Sequence, residues 1–145
     1  MEDESRPDFS FVVRDNEAAV TQALAAGDFV KAYLTVHALV EAMLRSFLRT
    51  PQGSDVSFAG LIKAYRAHLD DENYPNPEFV DELTKFNKRR NRMIHELWKK
   101  GYSFTNRHAE PAAAAALVMY GLLIEWLETF DDEMTDIGFR YDGCV

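Results

Sequence analysis

Phe86-Asn87-Lys88-Arg89-Arg90-Asn91-Arg92-Met93-Ile94-His95 is the stretch on which the reading of this 145-residue chain turns. Upstream of it, Asn76 is a good helix N-cap and Pro77 stands at the first helical position, where its missing N–H costs nothing. Downstream, Gly101 supplies a typical helix stop. The spacing therefore predicts one long helix over 76–100. On a wheel of about 100° per residue, Leu83, Phe86, Met93, Ile94 and Leu97 form one stripe, and Arg90 falls in its middle. Lys85, Arg89 and Arg92 fall on the outer face instead. A guanidinium on the apolar side needs an acceptor, because an unpaired buried charge costs several kcal/mol.

Working outward, caps and periodicity predict four more helices. The first covers about 16–26 and stops at Gly27; the short Phe9–Val13 run leads into it. Asp28 caps the second, which ends near Arg49 before Thr50-Pro51 and a polar loop over 52–56. Ser57 caps the third, to about Leu69. The fifth covers about 110–134, after a loop over 102–108. Short loops between long helices imply an all-α, up-and-down bundle of about five helices. The second helix is apolar almost all round, which marks it as central. With no internal repeat and no linker, residues 1–145 read as a single domain. Residues 1–14 read as a flexible or poorly ordered lead-in, and 136–145 as a C-terminal tail.

Composition narrows the function. Apolar residues make up 47% and charged residues 28%, the balance of a soluble globular domain. The single cysteine, Cys144, excludes a disulfide framework and suits a reducing compartment. No Cys/His spacing suits structural zinc, so no metal and no cofactor is expected. The most apolar run, Ala112 to Leu127, is alanine-rich and ends among Glu125 and Glu128, reading as a buried helix rather than a membrane span. The start of the chain does not read as a signal peptide. A cytoplasmic protein without a membrane partner is the expectation. The net charge is −8, yet Lys85, Lys88, Arg89, Arg90, Arg92, Lys99, Lys100 and Arg107 fall in one window whose only acid is Glu96. A basic island on an acidic body still attracts a polyanion, since screening confines the body's repulsion to about 10 Å.

A polar seam marks the otherwise apolar second helix: Tyr33, His37 and Glu41, one turn apart. Glu41 is the natural acceptor for Arg90, and the seam is expected to face it. Asn91 and His95 share a position at the edge of the apolar stripe of the 76–100 helix. Arg90 and His95 are separated by about 140° in a regular helix. They meet on one ligand only if the arginine reaches around, the helix is distorted, or a second subunit contributes.

Arg90-Asn91-x-x-x-His95 resembles the R-x4–6-H motif of HEPN domains, including the asparagine that often follows the arginine. The long helix carrying the motif and the preceding apolar helix with an internal glutamate are similar to that family as well. The resemblance implies a metal-independent endoribonuclease that dimerises with its motifs facing across a cleft, often in toxin–antitoxin or phage-defence settings. It makes Arg90 and His95 the catalytic pair and Asn91 an orienting group, with Glu41 and His37 in support. The implied partners are a second copy of the chain, RNA, and an antitoxin or nucleotidyltransferase protein. One departure is Leu97, where toxins paired with nucleotidyltransferases often carry tyrosine.

The chemistry agrees with the residue types. RNA carries its own nucleophile, so cleavage without a metal needs a base near neutrality and a cation at the phosphorane, which histidine and arginine supply. Lys88, Arg89, Arg92, Lys99 and Lys100 are candidates to hold the RNA backbone, and Trp98 or Tyr102 to stack a base. A plainer reading stands beside this one. Arg90 is then a structural partner of Glu41, His37 a satisfied core histidine, and the domain a non-catalytic module that binds nucleotide or RNA, or a dimerising regulatory half.

Overall fold

A computed structural model describes residues 7–50 and 54–140. The described chain is all helix and loop: α1 (Ser10–Ala25), α2 (Phe29–Phe47), α3 (Phe58–Asp71), α4 (Pro77–Lys100), α5 (Tyr102–Arg107), α6 (Glu110–Phe130) and α7 (Glu133–Asp136). The caps read from the sequence are those that form. Asp28 accepts from the Lys31 amide, Ser57 from Gly60 and Asn76 from Phe79, each satisfying an N–H that the first helical turn leaves without a partner. Gly27 and Gly101 have φ of 75° and 87°, positive values that glycine adopts at little cost where a helix ends.

The architecture is a helical bundle around α2. That helix packs against α1, α3, α4, α5 and α6, and eleven of its nineteen residues are buried. Tyr33, Val36, Leu39, Val40, Met43 and Leu44 are each at most 1% exposed, as its all-round apolar composition requires. By length and composition α6 could cross a membrane. In this fold one of its faces, from Ala113 through Tyr120 to Leu127, lies in the core.

Three elements differ from the sequence reading. α1 starts at Ser10, so residues 10–14 are not a loose lead-in. Val13 is 2% exposed and Phe9 rests on Phe139, ring centroids 5.1 Å apart; this apolar contact, between residues 130 apart, draws the helix start inward. The same contact orders the beginning of the tail. Phe9 N–H donates to the Ile137 carbonyl at 2.7 Å, and Phe139 is fully buried. Gly138, with φ of 114°, allows this approach, since a Cβ there would lie 2.5 Å from the Ser10 nitrogen. The loop over 102–108 is the short helix α5, and the fifth predicted helix breaks after Phe130 into α6 and α7. Expectations for residues 1–6, for 51–53 and for 141–145, including Cys144, fall outside the described residues.

Candidate functional site on α4

α4 is a regular helix of 24 residues, about 36 Å long at 1.5 Å per residue. Its burial is uneven. Phe79, Val80, Leu83 and Phe86 are buried, then Met93, and no residue from there to Lys100. The motif therefore sits where α4 runs off the densest part of the core. Ile94, expected in the buried stripe, is 36% exposed, and Leu97 is half-buried. Arg90, although central on the stripe by angle, is half-buried for the same reason.

The polar seam of α2 does face α4. The Tyr33 hydroxyl donates to the Phe86 carbonyl at 2.6 Å, and His37 Nε2 lies 3.2 Å from Asn87 Oδ1. His37 is 6% exposed and sandwiched between Phe58 and Phe86, ring centroids at 4.4 and 5.0 Å. Because Asn87 Oδ1 accepts, Nε2 carries the proton of the neutral ring. Burial holds the His37 pKa below its ordinary value of 6.5; the Asn87 hydrogen bond and Glu41 oppose this, and the nearby Arg90 charge adds to it. Burial likewise pushes the Tyr33 hydroxyl up to about 12, partly offset by Arg89 and Arg92.

The expected Arg90–Glu41 pair is not formed. Glu41 binds Arg45, one turn along its own helix, through Nε at 3.2 Å and Nη2 at 3.1 Å. Arg45 Nη2 also donates to the Val56 carbonyl at 2.5 Å. An intrahelical i,i+4 partner with a second acceptor beside it wins over an interhelical one, since fewer groups must be ordered to make the contact. Arg90 instead donates from Nη1 to Asn91 Oδ1 at 3.2 Å. With Arg90 only half-buried, its guanidinium stays within reach of water and needs no buried carboxylate.

Asn91 and His95 are exposed. The His95 ring meets the edge of Trp98 at 5.6 Å, and among the described residues no hydrogen bond holds it. The helix is uninterrupted, so the separation of about 140° between Arg90 and His95 stands. One chain does not bring them together. Asn91, His95, Lys88 and Lys99 do fall within about 80° of one another on the outer side of α4, all four exposed. Trp98, 72% exposed, flanks them, with Lys99 Nζ 5.9 Å from its ring centroid. Lys100 instead lies over Phe104 at 4.6 Å.

Arg89 and Arg92 face another way. They line an open cleft of about 330 Å³ between α4, α5 and the start of α6, opposite His108 and Ala112. Arg89 is half-buried and close to the Tyr33 hydroxyl, not on the outer face where the wheel put it. Among the described residues no ion pair engages Arg89, Arg90 or Arg92. Neither Asn87 nor His108 stands out in the sequence as a site residue. Asn87 could be found only by knowing that α2 and α4 touch, and His108 only by knowing that a short helix ends just before it. Comparison with protein families, with curated proteins and with solved structures finds no significant match for this chain.

Proposed function

We propose that this chain is an RNA-binding domain of the HEPN type whose motif becomes a metal-independent endoribonuclease site when two copies pair. The observation that carries the reading is the arrangement of the motif on α4. Arg90 is tied to Asn91, His95 is exposed on the same uninterrupted helix, and neither is consumed by an ion pair among the described residues. Because the two functional groups diverge within one chain, the cleaving pair is assembled between chains, Arg90 of one copy opposite His95 of the other. Histidine then takes the proton of the RNA 2′-hydroxyl as that oxygen attacks phosphorus. Arginine donates to the non-bridging oxygens as their charge grows. The bond to the 5′-oxygen breaks, that oxygen takes up a proton, and a 2′,3′-cyclic phosphate remains. The exposed cations Lys88, Lys99 and Lys100 supply backbone affinity.

The same domain without catalysis, holding nucleotide or RNA, is the second reading. It is favoured by the absence of any hydrogen bond orienting His95 among the described residues, whereas a general base is usually held in place by a third group. Incubation of labelled single-stranded RNA with the protein in EDTA, wild type beside His95→Ala, separates the two. Cleavage to cyclic-phosphate ends by the wild type, reduced about 100-fold or more in the variant, is the expected result. Binding without cleavage by either protein would transfer the assignment to the second reading.

A further inference from the structure

The cleft bounded by α4, α5 and α6 lies apart from the Arg90 and His95 face and takes no part in the proposed cleavage. Its α4 wall carries Arg89 and Arg92; Glu96 shares that wall as the one opposing charge. Neither guanidinium has a carboxylate partner among the described residues, although 24 of the 145 residues are Asp or Glu. Two arginines side by side without a carboxylate between them repel weakly through water, and an anion seated between them would replace that repulsion by attraction. Arg89 is half-buried near the Tyr33 hydroxyl, which leaves its side chain fewer directions than that of the exposed Arg92.

The opposite wall combines His108 with the first turn of α6. His108 lines it, its Nδ1 2.9 Å from the Phe104 carbonyl. Since a carbonyl only accepts, Nδ1 holds the proton; Nε2 of the neutral ring is then an acceptor, and only a second proton would let it donate to an anion. The first turn of α6 forms the rest: Ala109, Pro111 and Ala112 line the cleft, and no side chain caps the helix. The positive end of this 21-residue helix adds to the two arginine charges, offset in part by Glu110 in its first turn and without an N–H from Pro111. Ala112 and Ala115 keep this wall low, leaving about 330 Å³ of space, near the lower end of small-ligand pockets at roughly 300 Å³.

We propose that this cleft is a phosphate-binding site for a ligand of about nucleotide size, in which Arg89 and Arg92 clamp the phosphate oxygens and the α6 first turn faces them. Two sources share that chemistry: a free mononucleotide, and one nucleotide unit of an RNA strand. Planar guanidinium forks match phosphate oxygens two at a time.

Calorimetric titration of the full-length protein with inorganic phosphate, AMP and a ten-nucleotide oligouridylate tests this, with wild type, Arg92→Gln, Arg89→Gln/Arg92→Gln, Ala115→Glu and His95→Ala compared. Saturable binding of AMP and phosphate, weakened about tenfold or more by the double variant and by Ala115→Glu but unchanged in His95→Ala, would assign a mononucleotide site. The same pattern for the oligonucleotide, with AMP binding weakly or not at all, would assign a strand phosphate. Arg92→Gln and Ala115→Glu alter exposed positions and keep the test decisive if loss of the Arg89 contact to Tyr33 unfolds the double variant, which circular dichroism would report. Absence of saturable binding of every probe by the wild type overturns the proposal. So does wild-type affinity in both Arg92→Gln and Ala115→Glu. Because the readout is binding and His95→Ala is expected to retain it, failure here and failure of the ribonuclease reading are separate results.

Discussion

His37 shows how one buried side chain ties the motif helix to the centre of the bundle. It is held neutral between two phenylalanine rings, donates to Asn87, and lies close enough to Arg90 and Glu41 to feel both charges. Its pKa in the folded protein is below 6.5, chiefly through burial, whereas in the unfolded chain it is about 6.5. The folded state therefore binds the proton less readily than the unfolded state. The stability His37 contributes is complete above about pH 6.5 and is lost as pH falls from there through the folded-state value. Urea unfolding of the wild type across that window should show a loss from this residue of at most about 1.4 kcal/mol per pH unit. In His37→Gln that component should vanish, and an unchanged slope would mean that the ring is not neutral in the fold. The exchange of partners at Glu41 belongs to the same scale. Arg45 lies one turn from Glu41 on the same helix and takes it, while the half-buried Arg90 keeps its guanidinium near water.

Among the elements, α5 is the most informative because it was expected to be a loop. Six residues long, it would not persist alone in water. It is stabilised by what it does for α2. Asn106 Oδ1 accepts from the Phe29 and Val30 amides at 2.7 and 3.0 Å, and its Nδ2 donates to the Gly27 carbonyl at 2.8 Å. Tyr102 reaches the Asp28 carboxylate from the same short helix. The start of the central helix is thus capped twice, once by its own Asp28 and once by a residue 77 positions away. Asn106→Ala should cost about 1–2 kcal/mol in denaturant unfolding. Asn106→Asp, which keeps the acceptor, should cost less. Equal losses in the two variants would count against the capping role. Residues that can cap locally were legible at Asp28, Ser57 and Asn76, since each lies next to the helix it starts. Asn106 was not, because its acceptor role depends on a contact that sequence spacing does not encode.

At the scale of the whole molecule, charge is divided as the linear sequence suggested but spread over more than one face. Lys88 and Lys99 share the outer side of α4 with His95, while Arg89 and Arg92 look into the α4–α6 cleft. RNA binding by the outer face should weaken linearly in logarithmic salt, with a slope of about −0.7 per phosphate neutralised. Lys88→Gln/Lys99→Gln should flatten that slope by about 1.4 and leave the melting temperature almost unchanged, because both side chains are exposed. A slope that does not respond would place the RNA elsewhere on the protein.

What the sequence determined alone was the all-helical class, the centrality of α2, and the start and stop of α4. These follow from periodicity and from caps that act within a few residues, which any reader of the chain can count. Only the tertiary structure decided that Glu41 binds Arg45, that Ile94 and Arg90 lie where the core thins, that Phe139 folds back onto Phe9, and that the eight cations of the basic window do not form one surface. The physical reason is common to all four. A helical wheel gives the direction of a side chain about its own axis, but burial and pairing depend on where the neighbouring helices end.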